Sequence, residues 1–433
     1  MEILSLGEKI KRKRKELNMT LKDLAGERIT PGQISLVESG RSNPSMDLLE
    51  YLADTLKTSV EYLMESEETQ AEKICIFYEQ TAESYILSGD YTEGQKNIDK
   101  ALHYAEKFNL EFRKAKILFL TGEICMQEGE LVSAQQYFLT SNVIFIKNNN
   151  FEEAVITLLH LGEITLKMRA YHSTSSYLKQ AEKIYMDNSL GNDQLLGEIY
   201  YNMARALYKT ENISGAINYS YLAKEKFNKM HNKKKYAKTL LLLSEEYNKK
   251  GDLISAVNYS KKALDVYKEL DKVKKTGEIE NNLGKLFFQF ENIKESFVHF
   301  EAAKEIRSSN RDEKLIDTLV NICENYLKIK DIDKSKQIVE EIHQNLKEGD
   351  FNNKVELNLL KYRILLIEEK IEDAENILIE TYDFAMKNGL NKKAGQVAIL
   401  LGKFYIENKR NNEASMYLDY GVNIFNEIGL LRN

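Results

Sequence analysis

Proline, cysteine and tryptophan are scarce in this chain of 433 residues, which has two prolines, three cysteines and no tryptophan. Proline is excluded from helix interiors and is common in the turns of β-rich folds, so its scarcity predicts helix almost throughout. The three cysteines lie far apart and lack histidine-rich neighbours, which argues against a disulfide framework or a metal site and favours reduced, buried thiols. No apolar run approaches the ~18 residues of a membrane span.

The order of residues at the N-terminus, a short apolar start before a basic cluster, is the reverse of a signal peptide. Charge is unevenly distributed along the chain, whose formal net charge is −6. Residues 1–45 contain nine Lys or Arg against six Asp or Glu, whereas the rest contains 52 against 61. We therefore expect a cytoplasmic protein without membrane contact, in which a small basic head precedes a large acidic body.

Start and stop signals in the head indicate four or five short helices. The run 30–33, Thr-Pro-Gly-Gln, offers an N-cap hydroxyl, a proline at the first helical position and the glutamine of a capping box. Gly40 ends this helix, and a basic helix with cations at 9–15 lies upstream. Alone, such a basic run is more often a solvated helix face. Two short helices joined by a tight turn after a basic helix are typical of a helix-turn-helix unit.

The head also resembles the lambda-repressor-like helix-turn-helix domains over about 60 residues. The matching elements are Gly7-x-x-Ile10-Lys11-x-x-Arg14, Leu24-Ala25, Ile34-Ser35-x-x-Glu38-x-Gly40 and Asn43-Pro44-Ser45. The resemblance implies that residues 31–39 form the recognition helix, with Ile34 and Val37 facing the core. Gln33 can then pair with adenine, and Leu36 can touch a thymine methyl. The DNA-binding residues that it implies are Arg14, Thr30, Gln33, Ser35, Leu36, Arg41 and Ser42.

The body repeats itself about every 40 residues. Each copy has one small residue and a second one twelve positions later. The first small residues are Ala82, Gly122, Gly162, Ala204, Ser244, Gly284, Cys323 and Gly402, with the bulky Tyr362 in the eighth place. Their partners are Gly94, Ala134, Thr174, Ala216, Ala256, Ser296, Ser335, Ala374 and Ala414. The third copy is the least regular, because it has Thr174 as a partner and Thr165 where an apolar residue is expected.

Each copy predicts a helix, a polar turn and a second helix, which must stack on its neighbours to bury its apolar face. The run Gly-Asp-Leu-Ile-Ser-Ala-Val-Asn-Tyr-Ser-Lys-Lys-Ala at 251–263 resembles a tetratricopeptide repeat, although armadillo and HEAT repeats match the period better. We predict an all-α fold: a helix-turn-helix domain at 1–66, then a superhelix of about nine tetratricopeptide-like hairpins at 71–433 that binds peptide and dimerises.

The resemblance to tetratricopeptide arrays implies that the first helix of each hairpin lines a concave groove. With the small residue counted as position 8, positions 2, 5, 6, 9, 12 and 13 face that groove. An Asn amide offers one acceptor and two donors, which suit the backbone of an extended peptide, and Arg or Lys can hold a carboxylate. The candidate peptide-binding residues are Tyr201, Asn202, Arg205, Tyr208, Glu245, Asn281, Asn282, Lys285, Phe288 and Asn321. His160, also at position 6, is interpreted as structural.

The combination of head and body resembles the RRNPP family of bacterial peptide-pheromone receptors along the whole chain, and its NprR-like branch most of all. The family's groove asparagines stand in contexts matched by 201–204, Tyr-Asn-Met-Ala, and more loosely by 281–284, Asn-Asn-Leu-Gly. The resemblance implies a quorum-sensing transcription regulator controlled by a short peptide that is secreted and re-imported. We expect a homodimer on a pseudo-palindromic operator in double-stranded DNA.

Motifs of catalysis are lacking: the sequence has no Gly-rich phosphate loop, no HExxH and no Ser/His/Asp constellation in a strand–turn–helix context. Six scattered histidines form no metal pair. We therefore predict no catalytic residue, metal or cofactor. Two other interpretations stay open. One is an interaction module that binds a response regulator with Rap-like phosphatase-type activity, and the other is a phage lysis–lysogeny switch operated by a peptide.

Overall fold

The computed structural model describes residues 2–430, and the regular secondary structure of that range is entirely α-helical. The five head helices are α1 (Leu6–Glu16), α2 (Leu21–Ala25), α3 (Pro31–Glu38), α4 (Met46–Thr55) and α5 (Val60–Met64). The described range of the body contains eighteen helices in nine consecutive pairs, which confirms the predicted all-α fold with nine hairpins.

The first four pairs are α6 (Glu67–Ser88) with α7 (Tyr91–Lys107), α8 (Glu111–Glu128) with α9 (Leu131–Lys147), α10 (Phe151–Lys167) with α11 (Tyr171–Asp187), and α12 (Asp193–Lys209) with α13 (Ile213–Lys229). The other five are α14 (Lys233–Lys250) with α15 (Leu253–Glu269), α16 (Val273–Gln289) with α17 (Ile293–Ser309), α18 (Leu315–Lys328) with α19 (Ile332–Asn345), α20 (Phe351–Ile367) with α21 (Ile371–Lys387), and α22 (Asn391–Glu407) with α23 (Asn411–Glu427).

Two compact units divide the chain, Met1–Tyr219 and Ser220–Asn433. The first unit contains the head and the hairpins up to α12, and the second contains α14 to α23. Their boundary lies within α13. The domain boundary expected between residues 66 and 71 lies at the start of α6, inside the first unit, and stays a prediction.

The head is built around one apolar core, to which Ile10, Leu24, Ile34 and Leu52 each contribute a fully buried side chain. Close packing of α1 against the end of α3 depends on Gly7. A Cβ atom at this position would collide with the backbone carbonyl oxygens of the last residues of α3. Since a backbone cannot move aside as a side chain can, the helix contact requires glycine here.

The small residues of the body let the two helices of a hairpin approach closely. A Cβ atom on Gly122 would lie 2.9 Å from the ring of Phe138, sixteen residues later, and one on Gly284 would overlap the ring of Phe300. The eighth hairpin is the exception. Its Tyr362 is buried and packs edge-on against Phe404, with ring centroids 6.3 Å apart.

Hydroxyl groups close several hairpins in place of an apolar contact. Ser244 Oγ donates to the carbonyl of Ala256 at 2.8 Å. In the third copy, Thr174 Oγ1 donates to Thr165 Oγ1 at 3.0 Å, and both threonines are buried. The two residues that depart from the repeat pattern therefore satisfy each other, which removes the cost of burying either hydroxyl alone.

The predicted Gly-Asp turns follow standard capping chemistry. Gly89 and Gly251 end their helices with φ of 83° and 86°, a left-handed conformation that glycine adopts without strain. The following aspartates, Asp90 and Asp252, are N-caps whose carboxylates accept a backbone N–H three residues on. These paired signals fix where the first and fifth hairpins reverse.

Two of the three cysteines, Cys75 and Cys323, are buried, and burial raises the pKa of Cys75 to about 11 and that of Cys323 to about 12. Both thiols are therefore protonated at neutral pH. Cys125 is partly exposed. None of the helices between residues 2 and 430 combines the length and apolar character that a membrane span needs.

Candidate functional site

Helix α3, the predicted recognition helix, begins at a complete capping box. Thr30 Oγ1 accepts the backbone N–H of Gln33, Gln33 Oε1 accepts the N–H of Thr30 at 2.9 Å, and proline occupies the first turn. Ile34 and Val37 are buried, as expected for the core side of the helix. Leu36 on the other side is 45% exposed.

All of the predicted DNA-contacting side chains except Arg14 are exposed: Thr30, Gln33, Ser35, Leu36, Arg41 and Ser42. Gln33 has two tasks in this arrangement. Its carbonyl oxygen is used by the capping box, whereas its amide nitrogen stays available for a base edge. Substitution of Gln33 therefore removes a helix cap as well as a base contact. The DNA contacts themselves stay predictions.

Arg14 has a structural contact that the sequence did not indicate. Its guanidinium donates to both carboxylate oxygens of Glu38, at 2.6 and 3.0 Å, and to the carbonyl of Met19 at 2.8 Å. The hydrogen bonds to Glu38 raise the pKa of Arg14. This two-pronged pair joins α1 to the end of α3 and orients that helix. The phosphate contact expected of Arg14 stays a prediction, because three of its donors are engaged within the head.

A set of hydrogen bonds joins the head to the first body helix. Lys9 is buried and donates through Nζ to the carbonyls of Tyr62 and Glu65, at 2.9 and 2.7 Å. Gln70, on α6, donates to the carbonyl of Leu4 at 2.8 Å and accepts the N–H of the same residue at 3.1 Å. The Gln70 amide also donates to the carbonyl of Glu65 at 3.3 Å, so Gln70 bonds both ends of the head to α6, while Lys9 holds α1 to the end of the head. We call these contacts the joint.

Four of the predicted peptide-binding residues lie on α12 in the first unit. Asn202 is only 2% exposed, and its Oδ1 accepts from Arg205 Nη1 at 3.1 Å. The guanidinium of Arg205 also lies 5.7 Å from the ring centroid of Tyr201. Tyr208, one turn further, is half-buried. The structure therefore brings Tyr201, Asn202 and Arg205 together, with the amide largely inside the helix packing.

The other six predicted residues lie in the second unit. Asn321 Nδ2 donates to Asn281 Oδ1 at 3.1 Å, which links α16 to α18, and Asn281 is buried. Asn282 and Lys285 are exposed on α16. Phe288, also on α16, is half-buried, and Lys328 Nζ lies 4.7 Å from the centroid of its ring. Glu245 on α14 is exposed. Peptide binding by these residues stays a prediction.

A cleft of about 580 Å³ lies at groove positions of the first three hairpins, which the sequence interpretation had not selected. We call it the first-unit cleft. Its lining residues are Glu83, Ile86, Leu87, Tyr91, Lys116, Phe119, Leu120, Glu123, Gln127, Phe145, Glu153 and Ile156. Nine of these twelve occupy positions 2, 5, 6, 9, 12 or 13 of a first helix. The numbering derived for the later hairpins therefore also describes this cleft.

The wall of the first-unit cleft is fixed by an aromatic cluster. His160 lies edge-on to Phe119, at 4.9 Å between ring centroids, and its Nε2 is 3.6 Å from Glu123 Oε1. Its Nδ1 is 2.9 Å from the carbonyl of Ile156. Burial disfavours the charged imidazole, but these two acceptors outweigh it and raise the pKa of His160. His160 thus holds the Glu123 side chain, in line with its structural interpretation.

A sequence signal for this cleft did exist. Position 9, which follows the small residue, is glutamate in the first three hairpins: Glu83, Glu123 and Glu163. The prediction instead selected the asparagines at position 6 of later hairpins. Between residues 2 and 430 no group of three His, Cys, Asp or Glu side chains could hold a metal ion.

Comparisons with known proteins give one match to the head and several to the fold of most of the chain. A helix-turn-helix family profile matches residues 10–63. No curated protein sequence matches the chain. Among solved structures, apo RapI aligns with a TM-score of 0.60 and 12% identity, covering 83% of this chain and 98% of that one. The apo quorum sensor NprR from B. thuringiensis aligns with a TM-score of 0.50 and 16% identity, covering 97% of this chain and 100% of that one.

A signal transduction ATPase with a tetratricopeptide repeat sensor, from Pyrococcus horikoshii, aligns with a TM-score of 0.54 at 13% identity. This alignment covers 84% of the present chain and 57% of that chain. At such identities the likeness is one of fold. The resemblance to the RRNPP family is confirmed at that level, as a helix-turn-helix head followed by tetratricopeptide-like hairpins.

Proposed function

We propose that this protein is a cytoplasmic, peptide-controlled transcription regulator of the RRNPP type. Its head binds a pseudo-palindromic operator as part of a homodimer, and a short signalling peptide in the groove of the hairpins changes that binding. No catalytic step belongs to this activity. The proposal combines the helix-turn-helix match at residues 10–63 with a fold like that of the quorum sensor NprR.

The observation that carries the proposal is the joint between head and body. Gln70, on α6, bonds both ends of the head, through Leu4 and Glu65. A peptide that shifts the first hairpins therefore acts on residues bonded directly to the DNA-binding unit. Ligand control of DNA binding needs such a connection between two sites.

The exposure of side chains on α3 supports the proposal that the head binds DNA. Gln33, Ser35 and Leu36 lie on the solvent side of α3, while Ile34 and Val37 anchor its other side in the core. Side chains that project from a rigid helix of this kind are the ones that reach base edges in the major groove.

Two steps test this function on the full chain. The operator is first selected from random double-stranded DNA, and peptides that bind the chain are selected from a random heptapeptide library. Leu36→Ala is then expected to lower affinity for the selected operator by about 1–3 kcal/mol and affinity for random DNA hardly at all. The exposed Leu222→Ala, in the body, is the matched control. Equal losses on both DNAs would remove the assigned role of α3.

A second candidate function is a module that binds a response regulator, which the overall likeness to the fold of RapI favours. The same experiment separates the two. A chain that enriches no operator from random DNA, but captures a receiver domain in a peptide-sensitive way, has the second function.

A further inference from the structure

The first-unit cleft differs from the predicted peptide-binding residues in its charge. Three glutamates, Glu83, Glu123 and Glu153, line it together with a single cation, Lys116. The ammonium of Lys116 lies 5.7 Å from the ring centroid of Phe112, and its charge also acts on Glu79. The cleft therefore has an excess of negative charge, directed at whatever occupies it.

Apolar side chains form the rest of the cleft. Leu87 is 89% exposed at its rim. Ile86, Phe119 and Ile156 are half-buried around it, and Phe145 is buried behind them. Burial of such surface by a ligand is favourable by roughly 25 cal/mol per Å². A ligand with apolar side chains therefore gains binding free energy by burying this surface, which a purely polar ligand does not.

The size and rigidity of the cleft suit a small, defined ligand. Its volume of about 580 Å³ lies within the range of about 300–1,000 Å³ that is usual for small-ligand sites. Its wall is held by the rings of Phe119, Phe138 and His160, whose centroids are 4.9 to 5.2 Å apart. Glu123 is fixed by His160 and so presents its carboxylate in one place.

We propose that the first-unit cleft binds a short peptide through a lysine or arginine side chain next to a large apolar side chain. The cationic group lies among Glu83, Glu123 and Glu153, and the apolar group covers Leu87 and Ile86. This inference rests on the proposed function, since it names the chemistry and the place of the signalling peptide. It locates part of the peptide beside the helix that is bonded to the head.

Charge complementarity excludes the opposite occupant. An acidic peptide would bring a carboxylate into a cleft that already contains three, and like charges repel. An uncharged apolar peptide would cover the three cleft carboxylates without adding a positive charge to that of Lys116. A cationic and apolar peptide satisfies both parts of the lining.

The test is a selection of random heptapeptides by mRNA display on the immobilised full chain. We expect enriched sequences to contain Arg or Lys beside Leu, Ile, Phe or Tyr. The double variant Glu83→Gln/Glu153→Gln is expected to bind each enriched peptide at least about tenfold more weakly. The control double variant Glu128→Gln/Glu225→Gln removes two exposed carboxylates elsewhere and is expected to leave affinity unchanged.

A cycle with the peptide identifies the contact. Replacement of the selected arginine by citrulline, which is neutral and nearly isosteric, is expected to weaken binding to the wild type by about tenfold. It is expected to have little further effect on Glu83→Gln/Glu153→Gln, because the partner charges are already gone. Unchanged melting temperatures show that the variants are folded.

Enrichment without basic residues, or an equal citrulline penalty in wild type and double variant, would overturn the inference. Peptides that depend on Asn202 and Asn282 but not on the glutamates would overturn it and leave the proposed function standing. Peptides that bind the cleft as expected, yet do not alter operator affinity, would support the inference and overturn the proposed function.

Discussion

Head and body place their candidate binding residues by different rules. In the head, one core fixes the orientation of α3, so that Ile34 is buried and Leu36 is exposed. In the body, the same repeat position has a different environment in each copy. Asn202 and Asn282 both occupy position 6, but Asn202 is 2% exposed and Asn282 faces solvent.

The difference arises from what surrounds each residue. A position in a single compact domain has one set of neighbours, so a motif defines its exposure. A position in a hairpin array also depends on the side chains of the adjacent hairpins. Asn321 bonds Asn281 on the preceding hairpin, whereas Asn202 bonds Arg205 on its own helix. Sequence equivalence among hairpins therefore does not imply equivalent binding roles.

The largest losses of stability are expected when close-packed glycines are replaced by alanine, one in the head and one in the body. Gly7→Ala places a Cβ against backbone carbonyls of α3, which cannot move, so we expect a loss of at least about 3 kcal/mol and no operator binding. Gly284→Ala meets the ring of Phe300, which can shift, at a cost of about 1–3 kcal/mol.

Thermal unfolding and operator binding measure both variants. Gly32→Ala is the control, because the nearest atom to its added Cβ is Thr30 Oγ1 at 3.8 Å. If Gly7→Ala melts and binds DNA like the wild type, the contact of α1 with α3 is not as close as described.

The second effect concerns the mostly buried ion pair of the head. Glu38→Gln leaves the Arg14 guanidinium without its counter-charge, and we expect the head to lose about 3 kcal/mol of stability. Glu27→Gln, an exposed change in the same domain, serves as the control. Urea unfolding of the full chain, followed by the release of specific DNA, measures the loss. Tighter operator binding by Glu38→Gln would instead indicate that Arg14 is freed to contact phosphate.

The third effect exploits a buried carboxyl of the body that has no counter-ion among residues 2–430. Burial raises the pKa of Glu246 to about 8, and its Oε1 accepts only from Ser220 Oγ at 2.8 Å. Because the folded state binds this proton more tightly than the unfolded state, the stability that protonated Glu246 contributes is fully present below about pH 4.5. This contribution is lost as the pH rises through about 8.

Glu246→Gln removes that loss. We expect the variant to exceed the wild type in stability by roughly 4–5 kcal/mol at pH 9 and by less than about 1 kcal/mol at pH 5. Chemical unfolding at several pH values measures the difference. Glu245→Gln, the exposed neighbour, is expected to keep the wild-type slope. Parallel pH profiles for the wild type and Glu246→Gln would show that Glu246 is ionised in the folded protein.

The smallest effect separates the two asparagines. We expect Asn202→Ala to cost about 1 kcal/mol of stability, because it removes a buried hydrogen bond, and Asn282→Ala to cost nothing measurable. Both are expected to weaken peptide binding by about 1–3 kcal/mol. Asn258→Ala, exposed on a second helix, is the control for titration calorimetry and melting. Normal peptide binding by both variants would remove the asparagines from the binding site.

The sequence predicted the architecture well because its signals are local and repeated. The capping box at Thr30 and the small residues such as Gly122 and Gly284 each specify one helix start or one close approach, and nine copies reinforce the period. The contacts that join elements were not predictable in the same way. The Arg14–Glu38 pair depends on the angle between α1 and α3, which a motif does not state.

The candidate peptide site was predicted only in part, for the same reason. The position numbering includes nine of the twelve residues that line the first-unit cleft, yet the cleft exists because Leu87, Phe119 and Ile156 from three hairpins surround one space. Such a space depends on how neighbouring hairpins stack. No single hairpin sequence encodes it.

The most direct test of peptide control is a linkage measurement on the full chain. The operator dissociation constant is measured with and without a saturating selected heptapeptide, and the peptide constant with and without operator. If peptide controls operator binding, both constants change in the same direction and by the same factor, at least about fivefold, since coupling between two sites is reciprocal. Operator affinity that is identical with and without bound peptide would contradict it.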